Sequence, residues 1–166
     1  VTLAGSGEPT LHQDLGAVLG ERKRLAPESR LVVLTNGTLC TDAGVRAELA
    51  AADLVIPSLD AATPEALQRV NRPAPGLEIE AVVAGLAALA REMPGRVWLD
   101  VLLAAGLNDS PAEVAAIQRA AELIAPELVQ LGTVVRPPAV AGVRPVAPGR
   151  LAAAVEGFAA PCQIIA

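Results

Sequence analysis

The sequence predicts an α/β protein built on a mainly parallel sheet that is a barrel or part of one. Three observations predict it. Short apolar runs rich in β-branched residues alternate with helix-length segments five times, with connections long enough for parallel pairing. The runs are apolar throughout, as strands covered on both faces are. Each run ends in a polar cluster, at residues 5–8, 35–37, 58–60, 108–110 and 136–138. In a barrel-like sheet such clusters meet on one rim, the place where α/β proteins hold their ligands.

The first run, Val1-Thr2-Leu3-Ala4, is broken by Gly5-Ser6-Gly7. Glycine permits unusual backbone angles and leaves no side chain between main chain and ligand. Glu8 follows, and Pro9 suits the first turn of a helix. Glycine loops at helix starts usually receive phosphates. A carboxylate there repels a phosphate and attracts an ammonium group. The phosphate motifs also fail on count: no Lys follows for a P-loop, and Thr10 stands where the dinucleotide fingerprint needs its third glycine. The plain alternative is an acid that complements the helix dipole.

Residues 11–25 read as a helix with Leu15, Val18, Leu19 and Leu25 on one side, and Pro27 and Ser29 turn the chain. Leu31-Val32-Val33-Leu34 is the second strand, ending in Thr35-Asn36-Gly37. Thr41 or Asp42 caps a short helix to about Ala52. Asp53-Leu54-Val55-Ile56-Pro57 is the third strand, ending in Ser58-Leu59-Asp60. Thr63 then caps a helix with Pro64 at its first position. A loop through Asn71-Arg72-Pro73 leads to a helix from Ile79 to Glu92, stopped by Pro94-Gly95. Residues 97–103 form the fourth strand, and Asp109 or Ser110 caps a helix to Ile124. Residues 128–135 form the fifth strand. Beyond a Pro/Gly-rich stretch, residues 139–166 read as a C-terminal extension with a helix over 148–158 and a strand over 162–165. No linker divides the chain, so 1–166 is read as a single domain.

The net charge is −5 with no basic block, so there is no nucleic-acid signature. No apolar run reaches the length of a membrane span. Cys40 and Cys162 make no metal-spacing motif, and a reducing, cytoplasmic setting is expected. The chain opens on a strand without an initiator Met, which leads us to expect a segment upstream. His12 reads as a surface or capping residue, Cys40 as a loop or buried thiol, and Cys162 and Trp98 as core. Arg136 and Arg72 stand either to bind an anion or merely to cover the rim.

The ordered blocks GSGEPTL, LTNG, ADLVIPSLDA, VNRP, WLDVLLAAGLNDS and VQLGTVVRPP resemble the radical S-adenosylmethionine (radical SAM) enzymes, in particular the branch described broadly as Fe–S oxidoreductases. The resemblance covers nearly the whole chain, and its specificity lies in the ordered set rather than in one block. It implies a partial (β/α) barrel of the radical SAM type with family strands 2–6 present and the first strand and its cluster loop missing. The family carries CxxxCxxC in that loop to hold a [4Fe–4S] cluster, and the cluster reduces S-adenosylmethionine to a 5′-deoxyadenosyl radical.

Matched residue by residue, Ser6-Gly7-Glu8, after Gly5, falls on the family's glycine-glycine-glutamate segment with Ser at its first position, which implies contact with the methionine ammonium. Thr35-Asn36 and Ser58 with Asp60 fall where the family meets the methionine carboxylate and ribose. Asn108 and the strand end near Leu131 fall where it meets adenosine. Alternation sets Trp98, Asp100 and Leu102 on one face, and Asp100 is expected to bind ribose or substrate. The resemblance also implies an electron donor such as flavodoxin or ferredoxin.

CxxxCxxC is absent from the sequence, so the cluster ligands are expected upstream of Val1 and the chain is expected to be inert alone. An uncovered first strand would also leave it marginally stable or self-associating. Three rivals stand beside this reading. A cluster-free TIM-like lyase needs a Schiff-base lysine or a metal triad at strand ends, and the sole Lys23 lies in a helix, which argues against the first. A Rossmann methyltransferase expects an acid where the second strand ends in Thr35-Asn36-Gly37. A degenerate barrel segment serving as an interaction module needs no site at all.

Overall fold

The computed structural model describes residues 1–5, 7–138 and 140–165. Seven strands form: β1 Thr2–Leu3, β2 Val32–Thr35, β3 Leu54–Pro57, β4 Trp98–Ala105, β5 Leu128–Thr133, β6 Arg144–Pro145 and β7 Cys162–Ile164. Between them lie α1 Leu15–Leu25, α2 Ala43–Leu49, α3 Pro64–Val70, α4 Ile79–Glu92, α5 Pro111–Ile124 and α6 Pro148–Val155.

Parallel ladders join β1 to β2, β2 to β3, β4 to β5, and β5 to β7. Two isolated bridges, Val55 with Val97 and Ser58 with Asp100, connect β3 to β4. The reason for the gap is one residue. Val55 N–H donates to the Arg96 carbonyl and Leu59 N–H to the Asp100 carbonyl. The donor that should fall between them belongs to Pro57, which has none. The parallel array therefore runs β1-β2-β3-β4-β5-β7, and β6 pairs antiparallel with the end of β4.

Side-chain alternation divides the sheet cleanly. Val33, Val55, Leu99, Val101, Val129 and Leu131 are fully buried under the helices. The opposite, inner face carries Leu34, Ile56, Trp98, Asp100, Leu102 and Gln130, none of them fully buried. On the helix side, Val82, Leu86, Leu89 and Met93 recur at three- and four-residue spacing along and just beyond α4 and make the buried stripe.

The helix starts follow their capping chemistry. Thr63, Asp42 and Ser110 each accept a backbone N–H two or three residues on, and Pro64 and Pro111 occupy first-turn positions. Ser110, not Asp109, is thus the cap of α5. Gly85 lets α4 press against the 3-10 turn Thr38–Thr41: a Cβ there would lie 2.7 Å from the backbone of Cys40 and Thr41. At the N-terminal end of the sheet, Asp53 accepts from Leu31 N–H at 2.6 Å and pairs with Lys23. Arg30 lies over the Trp98 ring, 5.7 Å from its centroid, so this tryptophan is half-buried rather than core.

Three expectations need correction. Residues 11–25 are not one helix: a 3-10 turn Pro9–Leu11 precedes α1, and His12 Nδ1 accepts the Asp14 N–H between them. Val18 and Leu25 are exposed, because α1 lies at the edge of the array with α2 as its helical neighbour. The last helix ends at Val155, and β6 had no signal beyond two residues of a Pro/Gly-rich stretch.

Candidate functional site

The strand ends do converge, and hydrogen bonds fix how. Glu8 caps the 3-10 turn: its Oε1 accepts from Thr10 N–H at 3.1 Å and from Thr10 Oγ1 at 2.7 Å. The same oxygen accepts from Thr35 Oγ1 at 2.5 Å, and Oε2 accepts from Asn36 N–H at 2.7 Å. Thr35 in turn passes its carbonyl to Ser58 N–H at 2.9 Å. The loop after β1 and the ends of β2 and β3 are thereby stitched into one rim.

Three of these donors meet Oε1 and one meets Oε2, so Glu8 braces the rim while Oε2 keeps an acceptor site. Gly5 is exposed and a Cβ at Gly7 would meet open space. Ser6 lies outside the described residues. Asn36 is exposed, with its Oδ1 accepting from Thr38 N–H and Oγ1.

Asn108 is also structural. It is 1% exposed. Its Nδ2 donates to the carbonyls of Asp60 at 2.7 Å and Leu102 at 2.8 Å, and its Oδ1 accepts from Ala104 N–H at 2.7 Å. Both amide hydrogens are thus used on the chain's own backbone. Leu131 is fully buried on the helix side, and its carbonyl accepts from Ile165 N–H. Its side chain is away from the inner face. Asp109 Oδ1 accepts from Gly106 N–H, and Oδ2 lies 2.8 Å from Arg150 Nη1, an ion-pair contact whose angle falls short of a hydrogen bond.

Ser58, Asp60 and Asp100 do face the inner side of the rim. Asp60 Oδ1 accepts from Leu102 N–H at 2.9 Å. Burial pushes the Asp60 carboxyl up to about 6, against the Leu102 bond that holds it down, and the neighbouring Asp100 adds to the rise. Asp100 is raised by burial as well. Among the described residues no Lys, Arg or His lowers either group.

Sequence reasoning missed Gln130 and Gln163. Asp100 pairs with Gln130 across β4 and β5, and Gln130 with Gln163 across β5 and β7. The available signal was a polar residue at the inward position of an otherwise apolar strand, the same alternation that picked out Asp100.

Cys40 is fully buried, and burial followed by the nearby Glu8 charge pushes its thiol up to about 12. Among the described residues, no three His, Cys, Asp or Glu side chains gather closely enough to hold a metal ion. They supply no ligand set for an iron–sulfur cluster. No helix among them is long and apolar enough to cross a membrane. A groove of about 500 Å³ lies elsewhere, on the helix side between α4 and α5, and holds none of these rim residues.

No protein-family model matches the chain. It is 38% identical over 136 residues to a GTPase Obg of Brachyspira hyodysenteriae, covering 82% of this chain and 20% of that protein. It is 43% identical over 103 residues to a UPF0026 protein of Synechocystis, covering 62% of this chain and 38% of that protein. A UPF0026 protein of Helicobacter pylori is 30% identical over 137 residues, covering 82% and 44%. The chain thus spans less than half the length of these curated relatives.

Among solved structures, a domain of pyruvate-formate lyase-activating enzyme from Bacteroides vulgatus superposes with a TM-score of 0.74 at 17% identity, covering 100% of this chain and 98% of that one. A radical SAM methyltransferase from Sphaerobacter thermophilus gives 0.73 at 20% identity, covering 99% and 50%. SuiB of Streptococcus suis bound to S-adenosylmethionine gives 0.69 at 14%, covering 100% and 39%. At these identities the likeness is one of fold.

Proposed function

The chain has a radical SAM-type fold, a partial β/α barrel, and on that premise we propose that it forms the cofactor- and substrate-facing wall of a radical SAM enzyme. The observation that carries the reading is the rim stitched by Glu8, Thr35 and Ser58 at the C-terminal ends of β1, β2 and β3. Barrel enzymes do their chemistry at that end. Reductive cleavage of S-adenosylmethionine by a [4Fe–4S] cluster, fed by an electron donor of the flavodoxin or ferredoxin kind, is proposed for the intact protein.

The residues present fit S-adenosylmethionine by their chemistry. Asp60 offers a carboxylate to ribose hydroxyls. The backbone of Gly5 and of Gly7 and the Asn36 side chain offer polar groups to the methionine end. Gly132 packs beside Leu102 and Ile165 on the inner face, where a Cβ would already be 3.4 Å from Ile165, an apolar surface suited to a purine. When bound, the cofactor supplies a 5′-deoxyadenosyl group for radical chemistry. The chain's own residues bind, orient and exclude water.

The test uses the intact protein, reconstituted anaerobically with iron and sulfide and reduced with dithionite. Formation of 5′-deoxyadenosine from S-adenosylmethionine is expected, with a loss of tenfold or more in cofactor affinity for Asp60→Asn. A reconstituted protein that binds the cofactor no better than S-adenosylmethionine-free buffer blanks, and forms no 5′-deoxyadenosine, overturns the reading.

A further inference from the structure

The sheet register lines up four polar side chains in one row. Ser58 bridges to Asp100, Asp100 pairs with Gln130, and Gln130 pairs with Gln163. In parallel pairs, residues in register point to the same face. Leu99 and Val101 flank Asp100 in sequence and are fully buried under the helices. The row therefore runs across the inner face, over β3, β4, β5 and β7. The row below, Ile56, Trp98 and Leu128, is apolar, and the row above sets Leu102 and Gly132 beside the Asp60 carboxylate, which accepts from Leu102 N–H.

The row is open on the inner face, with Ser58, Asp100 and Gln130 half-buried and Gln163 exposed, so its polar groups are placed to meet a ligand. Its one formal charge is negative. Asp100 is half-buried, its carboxyl is raised by burial, and no Lys, Arg or His among the described residues lowers it. Arg30 is turned to the Trp98 ring one row below. The two glutamines and the serine add three more oxygens able to accept. A group with several N–H donors and a positive charge satisfies such a set, and an anion does not.

We propose that the row Ser58, Asp100, Gln130 and Gln163 is the substrate subsite, and that it takes a primary amine carried on an apolar stem. The ammonium sits against Asp100 beside the two amides, and the stem lies along Trp98. This rests on reading the inner face as the substrate side of the enzyme.

The probe is n-hexylamine, titrated at pH 7.5 into the isotopically labelled chain and followed by amide proton–nitrogen spectra. Hexanoate is the control. Saturable shifts at Asp100, Gln130 and Gln163 with the amine and none with hexanoate are expected. Asp100→Asn weakens binding tenfold or more, and Gln163→Ala, at an exposed position of the edge strand β7, weakens it severalfold. No response at the row, equal binding of hexanoate, or an undiminished response in both variants overturns the proposal. S-adenosylmethionine, titrated separately, reads Gly7 and Asn36. Response to the cofactor without response to the amine sinks the subsite alone. Response to the amine in an intact, reconstituted protein that forms no 5′-deoxyadenosine sinks the proposed function and leaves an amine-binding row with no substrate role.

Discussion

Glu8 and Thr35 are held together by a 2.5 Å hydrogen bond from the threonine hydroxyl to the carboxylate, across 27 residues of sequence. With the bond from Asn36 N–H to the other oxygen, it ties the loop after β1 to the end of β2. Bonds to a charged acceptor contribute roughly 1.5–3 kcal/mol each. Glu8→Gln replaces one acceptor oxygen by an NH2 that opposes a donor. It is expected to lower stability by about 1–3 kcal/mol, measured by urea denaturation. Unchanged stability would return Glu8 to the role of a ligand group.

Asn108 makes a sharper case. Asn108→Ala leaves the Asp60 and Leu102 carbonyls and the Ala104 N–H without their partner in a site that is 1% exposed. Each orphaned buried group costs about 1–3 kcal/mol. A loss of at least about 2 kcal/mol is expected by denaturation, together with faster exchange of the Ala104 amide. Asn108→Asp keeps the acceptor for Ala104 but faces two carbonyls with a carboxylate, and is expected to be no better.

Gly85→Ala tests packing against propensity. In an exposed helix interior, alanine stabilises over glycine by about 1 kcal/mol. Here the added methyl meets backbone atoms of Cys40 and Thr41 at 2.7 Å, which cannot swing aside as a side-chain tip can. Overpacking of this kind costs roughly 1–3 kcal/mol. The variant is therefore expected to melt lower than the parent, and a rise in Tm would refute the close approach of α4 to the turn.

Both thiols are expected to be sluggish. Burial pushes Cys40 up to about 12 and Cys162 up to about 11. The thiolate is the reactive form. At pH 8 a disulfide reagent should label neither cysteine readily in the folded chain, and both promptly in denaturant. Prompt labelling of Cys40 under native conditions would contradict its burial.

Local chemistry was the legible part of the sequence. Thr63-Pro64, Asp42 and Ser110-Pro111 announce helix starts because a cap needs only residues two or three apart. The bounds Ile79 to Glu92 follow from an apolar stripe and a Pro-Gly stop. Long-range pairing was not legible. That Glu8 spends its oxygens on Thr35 and Asn36, and that Asn108 closes on Asp60, are facts about partners 27 to 48 residues apart. The same holds for the row from Ser58 to Gln163: alternation gives each residue its face, and only register makes them neighbours. Val18 and Leu25 misled because an apolar residue on a helix needs something to bury it, and α1 sits at the edge of the array.

Asp60 sets the expected pH dependence of stability. Its carboxyl is raised from 3.8 to about 6 in the folded chain, by burial first and by Asp100 after it. A raised carboxyl favours the protonated fold. Its contribution is fully present below the unfolded value near 4 and is lost as pH rises through about 6. Stability should therefore climb as pH falls from 7 toward 4, by on the order of 1–3 kcal/mol. Asp53 acts in the opposite sense, since the Lys23 bond lowers its carboxyl, so its loss is confined to more acidic solutions. Thermal melts between pH 4 and 7 check the slope. Asp60→Asn should flatten most of it while keeping an oxygen to accept from Leu102 N–H. An unaltered slope in that variant would assign the titration to another group.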